Sequence, residues 1–115
     1  MTGSILAELT ALLDALGIPV ETGVFKGKAP HAYVVITPLA DTFGGYADNY
    51  PFHEIQEARL SLFSKQNYRA LSNKIVKALL DADITITDRR YLGYEEDSEY
   101  FHYILEVAQY YEWGE

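Results

Sequence analysis

Residues 54–63, EIQEARLSLF, alternate between two kinds of side chain. The even-numbered residues include the apolar Ala58, Leu60 and Leu62. The odd-numbered residues include the polar Glu57, Arg59 and Ser61. Successive side chains of an extended chain point to opposite faces of a sheet, so this period of two predicts a strand that buries one face. The rest of the fold is built outward from this strand.

Two amphipathic helices are predicted, one before the strand and one after it. Residues 4–16 and 68–81 carry apolar side chains at spacings of three and four, with polar residues between them. Ser4 is a suitable amino-terminal cap for the first helix, while Gly17 and Pro19 end it. Each helix therefore has one stripe that can cover a sheet.

Four further strands are predicted from β-branched and aromatic runs, over residues 20–25, 32–37, 84–91 and 100–111. Residues 26–30 and 64–67 are expected to be turns, and the acidic run 95–99 a connection between strands. Residues 39–52, LADTFGGYADNYPF, contain several turn residues and no sustained period, so we expect a long loop there.

These elements predict a single α+β domain spanning residues 1–115. Short links between consecutive strands favour antiparallel pairing, and two one-sided helices are expected to pack on one face of the sheet. The tyrosines of opposite parity on the last strand would then need another cover, and a second subunit is one candidate. The strand order does not follow from the sequence.

Composition excludes several classes of function. The formal net charge of −8 opposes ordinary DNA or RNA recognition, and the absence of cysteine excludes disulfides, thiolate metal sites and a cysteine nucleophile. No stretch reaches the roughly 18 apolar residues of a membrane span, and the N-terminal region lacks the pattern of an export signal. We expect a soluble protein with no membrane partner.

No catalytic constellation is visible. His31, His53 and His102 are scattered over different elements, no serine lies in a nucleophile motif, and no glycine-rich loop cradles phosphate. The acidic run lacks the pattern of a calcium loop and is expected to be a solvated turn. We therefore expect no enzyme, no metal and no cofactor.

The distinctive feature of the sequence is a group of aromatic side chains in residues 39–53, where they lie among glycine, aspartate and asparagine. Such rings either form a local core or dock into a neighbour, and the C-terminal Tyr110, Tyr111 and Trp113 pose the same choice. Interface candidates are the four aromatic residues, the basic side of the second helix and the acidic run. They are Phe43, Tyr46, Tyr50, Phe52, Lys65, Arg69, Lys74, Lys77, Glu95, Glu96, Asp97 and Glu99.

Three stretches carry a resemblance to a known family. They are HAYVVITPLADTFGGYADNYPFHEIQEARLSLFSKQNY at 31–68, LSNKIVKALLDADITITD at 71–88 and YFHYILEVAQYY at 100–111. The chain resembles the tail-terminator proteins of long-tailed bacteriophages and prophages, in which a YVVI-like strand, a variable loop, a strand ending in SLFSK-x-NY, a helix and a closing strand follow one another. The resemblance covers most of the chain from residue 31.

The resemblance implies a structural virion protein made in the bacterial host cytoplasm. Its subunits would form a ring, by analogy a hexamer, that caps the tail tube and joins it to the head. The implied partners are further copies of the chain, the tube protein and the connector proteins. DNA would pass without sequence-specific contact through an acidic lumen, which would repel it.

Two alternatives stay open. One is a head-completion or neck protein of the same phage module. The other is a small ligand-binding or enzymatic α+β domain that uses residues 39–53 as a lid.

Overall fold

The computed structural model describes residues 3–23 and 30–113. Its two helices are α1, Ile5–Ala15, and α2, Tyr68–Asp81. Its five strands are β1 at Val20–Thr22, β2 at Ala32–Gly44, β3 at His53–Ser64, β4 at Thr85–Glu95 and β5 at Tyr100–Glu112. The predicted α+β class is confirmed. Residues 24–25 of the first predicted strand and 26–29 of the following turn lie outside the described residues.

The strands form one sheet in the order β1-β2-β3-β5-β4. The pairs β2–β3, β3–β5 and β4–β5 are antiparallel, whereas the short β1 pairs in parallel with residues 34–36 of β2. β3 therefore lies at the centre of the sheet and is paired along its whole length on both sides.

Both helices pack on the same face of the sheet, as predicted. Leu9 and Leu13 of α1 and Ile75 and Leu79 of α2 are fully buried against Leu60 of β3 and its neighbours. The predicted alternation of β3 is confirmed, because its even-numbered residues from 54 to 64 are buried and its odd-numbered ones are half-exposed. One apolar position of α2 that counted toward its predicted buried stripe differs: Leu80 is mostly exposed, because it lies about 100° around the helix from the fully buried Leu79.

The predicted long loop over residues 39–52 is wrong. β2 continues to Gly44 and pairs with β3 as far as Gly44 and His53, with one bulge between Pro38 and Ala40. The connection is a tight turn in which the backbone groups of Ala47 and Tyr50 bond each other at 2.8 and 2.9 Å. Residues 39–44 and 53 are paired in the sheet, so residues 39–53 are not the loop that the lid alternative requires.

The outer half of β2, whose residues 38–43 are exposed, projects beyond the helices together with the tight turn, while Gln56 of β3 and Tyr111 of β5 still contact the start of α1. We call residues 38–57 together with 108–113 the extension, and residues 45–52 its tip. β5 runs alongside β3 here, from Ala108 opposite Glu57 to Glu112 opposite His53. The described chain is accordingly elongated, with principal extents of 54 × 26 × 24 Å.

Candidate functional site

The tip presents aromatic side chains to solvent. Tyr46, Tyr50 and Phe52 are exposed by 63, 73 and 60%. Phe43 differs, because its ring packs edge-to-face on Trp113 at 4.6 Å between centroids, and the Trp113 amide donates to the Phe52 carbonyl at 2.7 Å. Of the four predicted aromatic candidates, one thus belongs partly to a local core and three form a free surface.

The turn holds the backbone that carries these rings in a defined conformation. Asp48 and Asn49 both have positive φ, 52° and 70°, as in a type I′ hairpin turn, which suits the twist of the flanking strands. Gly45 also has a positive φ of 64°, and the Phe52 amide donates to the carbonyls of Gly44 and Gly45 at 3.1 and 3.0 Å. The tip is therefore a hydrogen-bonded structure.

A second aromatic surface lies beside the start of α2, on the helix side of the sheet. Tyr68 of α2 stacks on Tyr91 of β4 at 5.0 Å and lies 5.4 and 5.7 Å from Phe101 and Tyr103 of β5. Tyr94 adds to this group through Phe101 at 4.8 Å. We call these five residues the tyrosine cluster. Tyr91 and Tyr94 are about half exposed.

The predicted basic side of the second helix is not one patch. Lys74 donates to the Leu16 carbonyl at 3.3 Å, and Lys77 pairs with Asp81 at 2.9 Å. Lys65 precedes the helix and lies 5.1 Å from the Tyr100 ring on the other face of the sheet. Arg69 alone of the predicted cations lies against the tyrosine cluster, with its guanidinium carbon 5.8 Å from the Tyr68 ring.

Arg89 of β4 joins Arg69 at this surface. The two flank a small cavity of about 20 Å³, which Tyr68 and Tyr103 also line. Neither arginine has an ion-pair partner within residues 3–23 and 30–113. The tyrosine cluster therefore carries unneutralised positive charge.

The acidic run forms the turn between β4 and β5, as predicted. The Glu99 amide donates to the Glu95 carbonyl at 2.7 Å, and Ser98 donates its hydroxyl to the Glu95 carboxylate at 2.6 Å. Glu96 and Asp97 are exposed. This turn lies at the opposite end of β5 from the tip.

On the sheet face opposite the helices, several aromatic side chains pack on one another. Tyr100 is only 7% exposed, packs against Tyr33 at 5.4 Å and donates its hydroxyl to the Pro30 carbonyl. Phe63 lies between Tyr33 and His102, stacked at 4.9 and 4.2 Å. Tyr100 thus needs no second subunit to cover it, whereas Tyr110, farther along β5, stays about half exposed.

The environment of this face shifts the pKa of His102. Burial lowers its pKa, the charge of Arg59 lowers it further, and the carboxylate of Glu95 partly opposes both effects. Its Nε2 atom is buried without a hydrogen-bond partner among the described residues. The fold therefore favours the neutral imidazole.

No metal centre is assembled in the part of the chain that the structure describes, where no three His, Asp or Glu side chains converge. An open groove of about 410 Å³ is lined by His31, Ser64, Gln66 and Leu71 among others. Neither described helix is long and apolar enough to cross a membrane.

The sequence missed the tyrosine cluster. A signal was present, since Tyr91, Tyr94, Phe101 and Tyr103 fall within thirteen residues. Bulges in β4 between Ile86 and Asp88 and between Tyr91 and Gly93 shift its side chains from one face to the other. A strict period of two therefore does not place the β4 residues on the face they occupy.

Comparison with known proteins leaves the family open: no family model matches this sequence, and no curated protein matches it significantly.

Proposed function

We propose that the protein is a structural subunit of a bacteriophage virion, a tail terminator that acts by stoichiometric assembly rather than by catalysis. Copies of the chain would close into a ring, by analogy a hexamer, on the end of the tail tube. The outer side of that ring would receive the filled head. The proposal starts from the resemblance of residues 31–68, 71–88 and 100–111 to that family.

The observation that carries the proposal is the exposed aromatic tip of the hydrogen-bonded extension. Three rings exposed by 60% or more are unusual on a monomer, and tyrosine is enriched at protein interfaces because its ring is rigid and its hydroxyl tolerates water. The type I′ turn fixes the backbone that carries the rings before any partner binds, which reduces the ordering entropy that binding costs. The tip is thus suited to docking.

The shape of the subunit also suits a ring. Head-to-tail closure requires two unlike surfaces on one subunit. The tip and the acidic turn lie at opposite ends of β5, which runs from Tyr100 to Glu112. One subunit can therefore contact two neighbours with different parts of its surface.

The net charge of −8 supports a role beside moving DNA. Negative side chains that line a lumen repel the phosphate backbone, so DNA slides through without being held. Glu96 and Asp97, in the turn between β4 and β5, supply exposed negative charge that could face such a lumen.

Genome context and assembly state test the proposal. We expect the gene to lie among genes for tube, tape-measure and connector proteins, and native mass spectrometry with electron microscopy to show closed rings of the purified protein. Rings found at the portal rather than at the tube end of virions would favour a neck protein instead. A gene without virion genes around it would contradict both structural roles.

A further inference from the structure

The extension is uniformly acidic. Residues 38–57 and 108–113 contain five aspartates and glutamates and no lysine or arginine. Glu54 is buried and accepts a hydrogen bond from Gln56 at 3.1 Å, whereas Asp41, Asp48 and Glu112 are exposed. The free aromatic rings of the tip therefore stand in a field of negative charge.

The tyrosine cluster has the opposite character. Its exposed rings lie beside Arg69 and Arg89, which have no ion-pair partner in the described part of the chain. Arginine stacks on aromatic faces and binds carboxylates through a planar fork, so this surface can receive both rings and acidic side chains. In contrast, Arg90 in the same strand is already paired with Asp88 at 2.7 Å.

The two surfaces cannot meet within one chain. Phe101 of the cluster and Glu112 of the extension are both in β5, and the strand between them is roughly 35 Å long at about 3.3 Å per residue. β5 is paired with β3 from Phe101 to Glu112 without a register shift, so the chain does not bend back there. A contact between the surfaces requires a second molecule.

We propose that the tip of one copy, together with the exposed carboxylates of its extension, docks on the tyrosine cluster of a second copy. Tyr46 and Tyr50 would pack against Tyr91 and Tyr94, while the extension's carboxylates approach Arg69 and Arg89. The contact joins unlike surfaces, so it repeats from copy to copy and closes into a ring when the rotation allows. The inference rests on the proposed ring and names the two surfaces that form it.

The acidic turn next to the cluster does not cancel this attraction. Glu95 pairs in register with Tyr100, on the other face of the sheet, and its charge acts on Tyr33 and His102 there. Arg89 lies six residues earlier in β4, and Arg69 is in the first turn of α2. The positive end of the cluster is therefore the end toward α2.

Charge reversal tests the contact. Sedimentation of the full chain at several concentrations would compare wild type with Arg69→Glu/Arg89→Glu and with Asp41→Lys/Glu112→Lys. All four side chains are exposed, so the variants should keep the wild-type thermal unfolding transition. We expect each double variant to raise the dissociation constant between subunits about tenfold or more, since each places like charges across the contact. Combining the two should restore much of the association.

Lys74→Glu/Lys77→Glu is the matched control, because it makes the same charge change on α2 where both lysines already have partners. We expect association within about twofold of wild type. If this variant fails to associate while Arg69→Glu/Arg89→Glu still associates, the contact lies elsewhere along α2 and the inference is overturned. Failure of the combined variant to recover would also count against it.

The outcomes separate this inference from the proposed function. Rings that persist in both reversed variants would refute the named surfaces and leave the terminator proposal standing. If the variants associate as expected but the gene has no virion genes around it, the named surfaces are supported and the terminator proposal is refuted. A wild-type chain that stays monomeric at every concentration would refute the contact between copies.

Discussion

The Oε1 atom of Gln56 accepts a hydrogen bond of 2.7 Å from the backbone amide of Ile5, the first residue of α1. The Nε2 atom of the same side chain donates to the Gly3 carbonyl at 3.0 Å and to the Glu54 carboxylate at 3.1 Å. Amides in the first turn of a helix have no partner within the helix, so Gln56 acts as a cap supplied from β3. A single buried glutamine thereby fixes where α1 begins on the sheet.

Gln56→Ala should lower the free energy of unfolding by roughly 1–3 kcal/mol, since it leaves the buried Ile5 amide without an acceptor. Chemical denaturation measures the change. Gln109→Ala is the control, because Gln109 lies opposite Gln56 on β5 but, within the described residues, accepts a side-chain hydrogen bond only from the amide of its neighbour Tyr110. We expect this substitution to cost less than about 0.5 kcal/mol. Equal losses in the two variants would show that the cap contributes nothing.

Amide hydrogen exchange of the free protein should alternate along the outer half of β2. Val34 donates to Pro19 on the β1 side, and the register places Thr42, opposite Ile55, among the residues that bond β3. Asp41 and Phe43 then point their amides away from β3, where no described residue pairs with them. We expect slower exchange at Thr42 than at either neighbour. Uniformly fast exchange over residues 39–44 would mean that the segment is a loop in solution.

Stability should fall as the pH is lowered through the ordinary histidine range. The fold lowers the pKa of His102 from its usual 6.5, so below that pH the unfolded chain binds more protons than the folded one. The free energy of unfolding therefore decreases as the pH falls from about 7 through the lowered pKa of His102 in the folded protein. His102→Phe should flatten this decrease, whereas His31→Gln, at an exposed position, should retain it. A decrease of unchanged slope in His102→Phe would assign the effect to other groups.

Tyr46→Ser/Tyr50→Ser should separate assembly from stability. Both side chains are mostly exposed, so we expect each substitution to change the free energy of unfolding by less than about 0.5 kcal/mol while ring formation is lost. Tyr100→Ala, at a buried tyrosine, is the contrasting variant and should cost about 3 kcal/mol. Rings of normal stability from the double serine variant would exclude the tip from the interface.

The sequence predicted the elements that have one buried side. Residues 68–81 form a helix over the predicted range, and the predicted strand at 54–63 extends by one residue at each end. The outer half of β2 has no buried side from Pro38 to Phe43, so no apolar alternation marks it as a strand. The bulge after Pro38 removes the period as well, and Asp48–Asn49, which close a hairpin, resemble loop residues in composition.

The candidate surfaces were predictable only in part. Aromatic residues among glycine, aspartate and asparagine at 43–52 indicated the tip, because rings in a polar segment need a partner. The joining of Arg69 and Arg89 was not predictable, since residues twenty positions apart meet only through the packing of α2 beside β4. Neither the strand order nor the bulges of β4 follow from local patterns.

The central strands pass from the helix-covered body into the extension without a break in register, since β3 and β5 pair continuously from Ser64–Phe101 to His53–Glu112. The extension and the helix-covered part of the sheet therefore move as one rigid unit. The outer half of β2, from Pro38 to Gly44, spans roughly 20 Å at about 3.3 Å per residue, so a tilt of about 10° in the body displaces its far end by some 3–4 Å. Small changes in how the helices pack on the sheet therefore produce large displacements of the tip. The curvature of any assembly would then depend on the packing of the core.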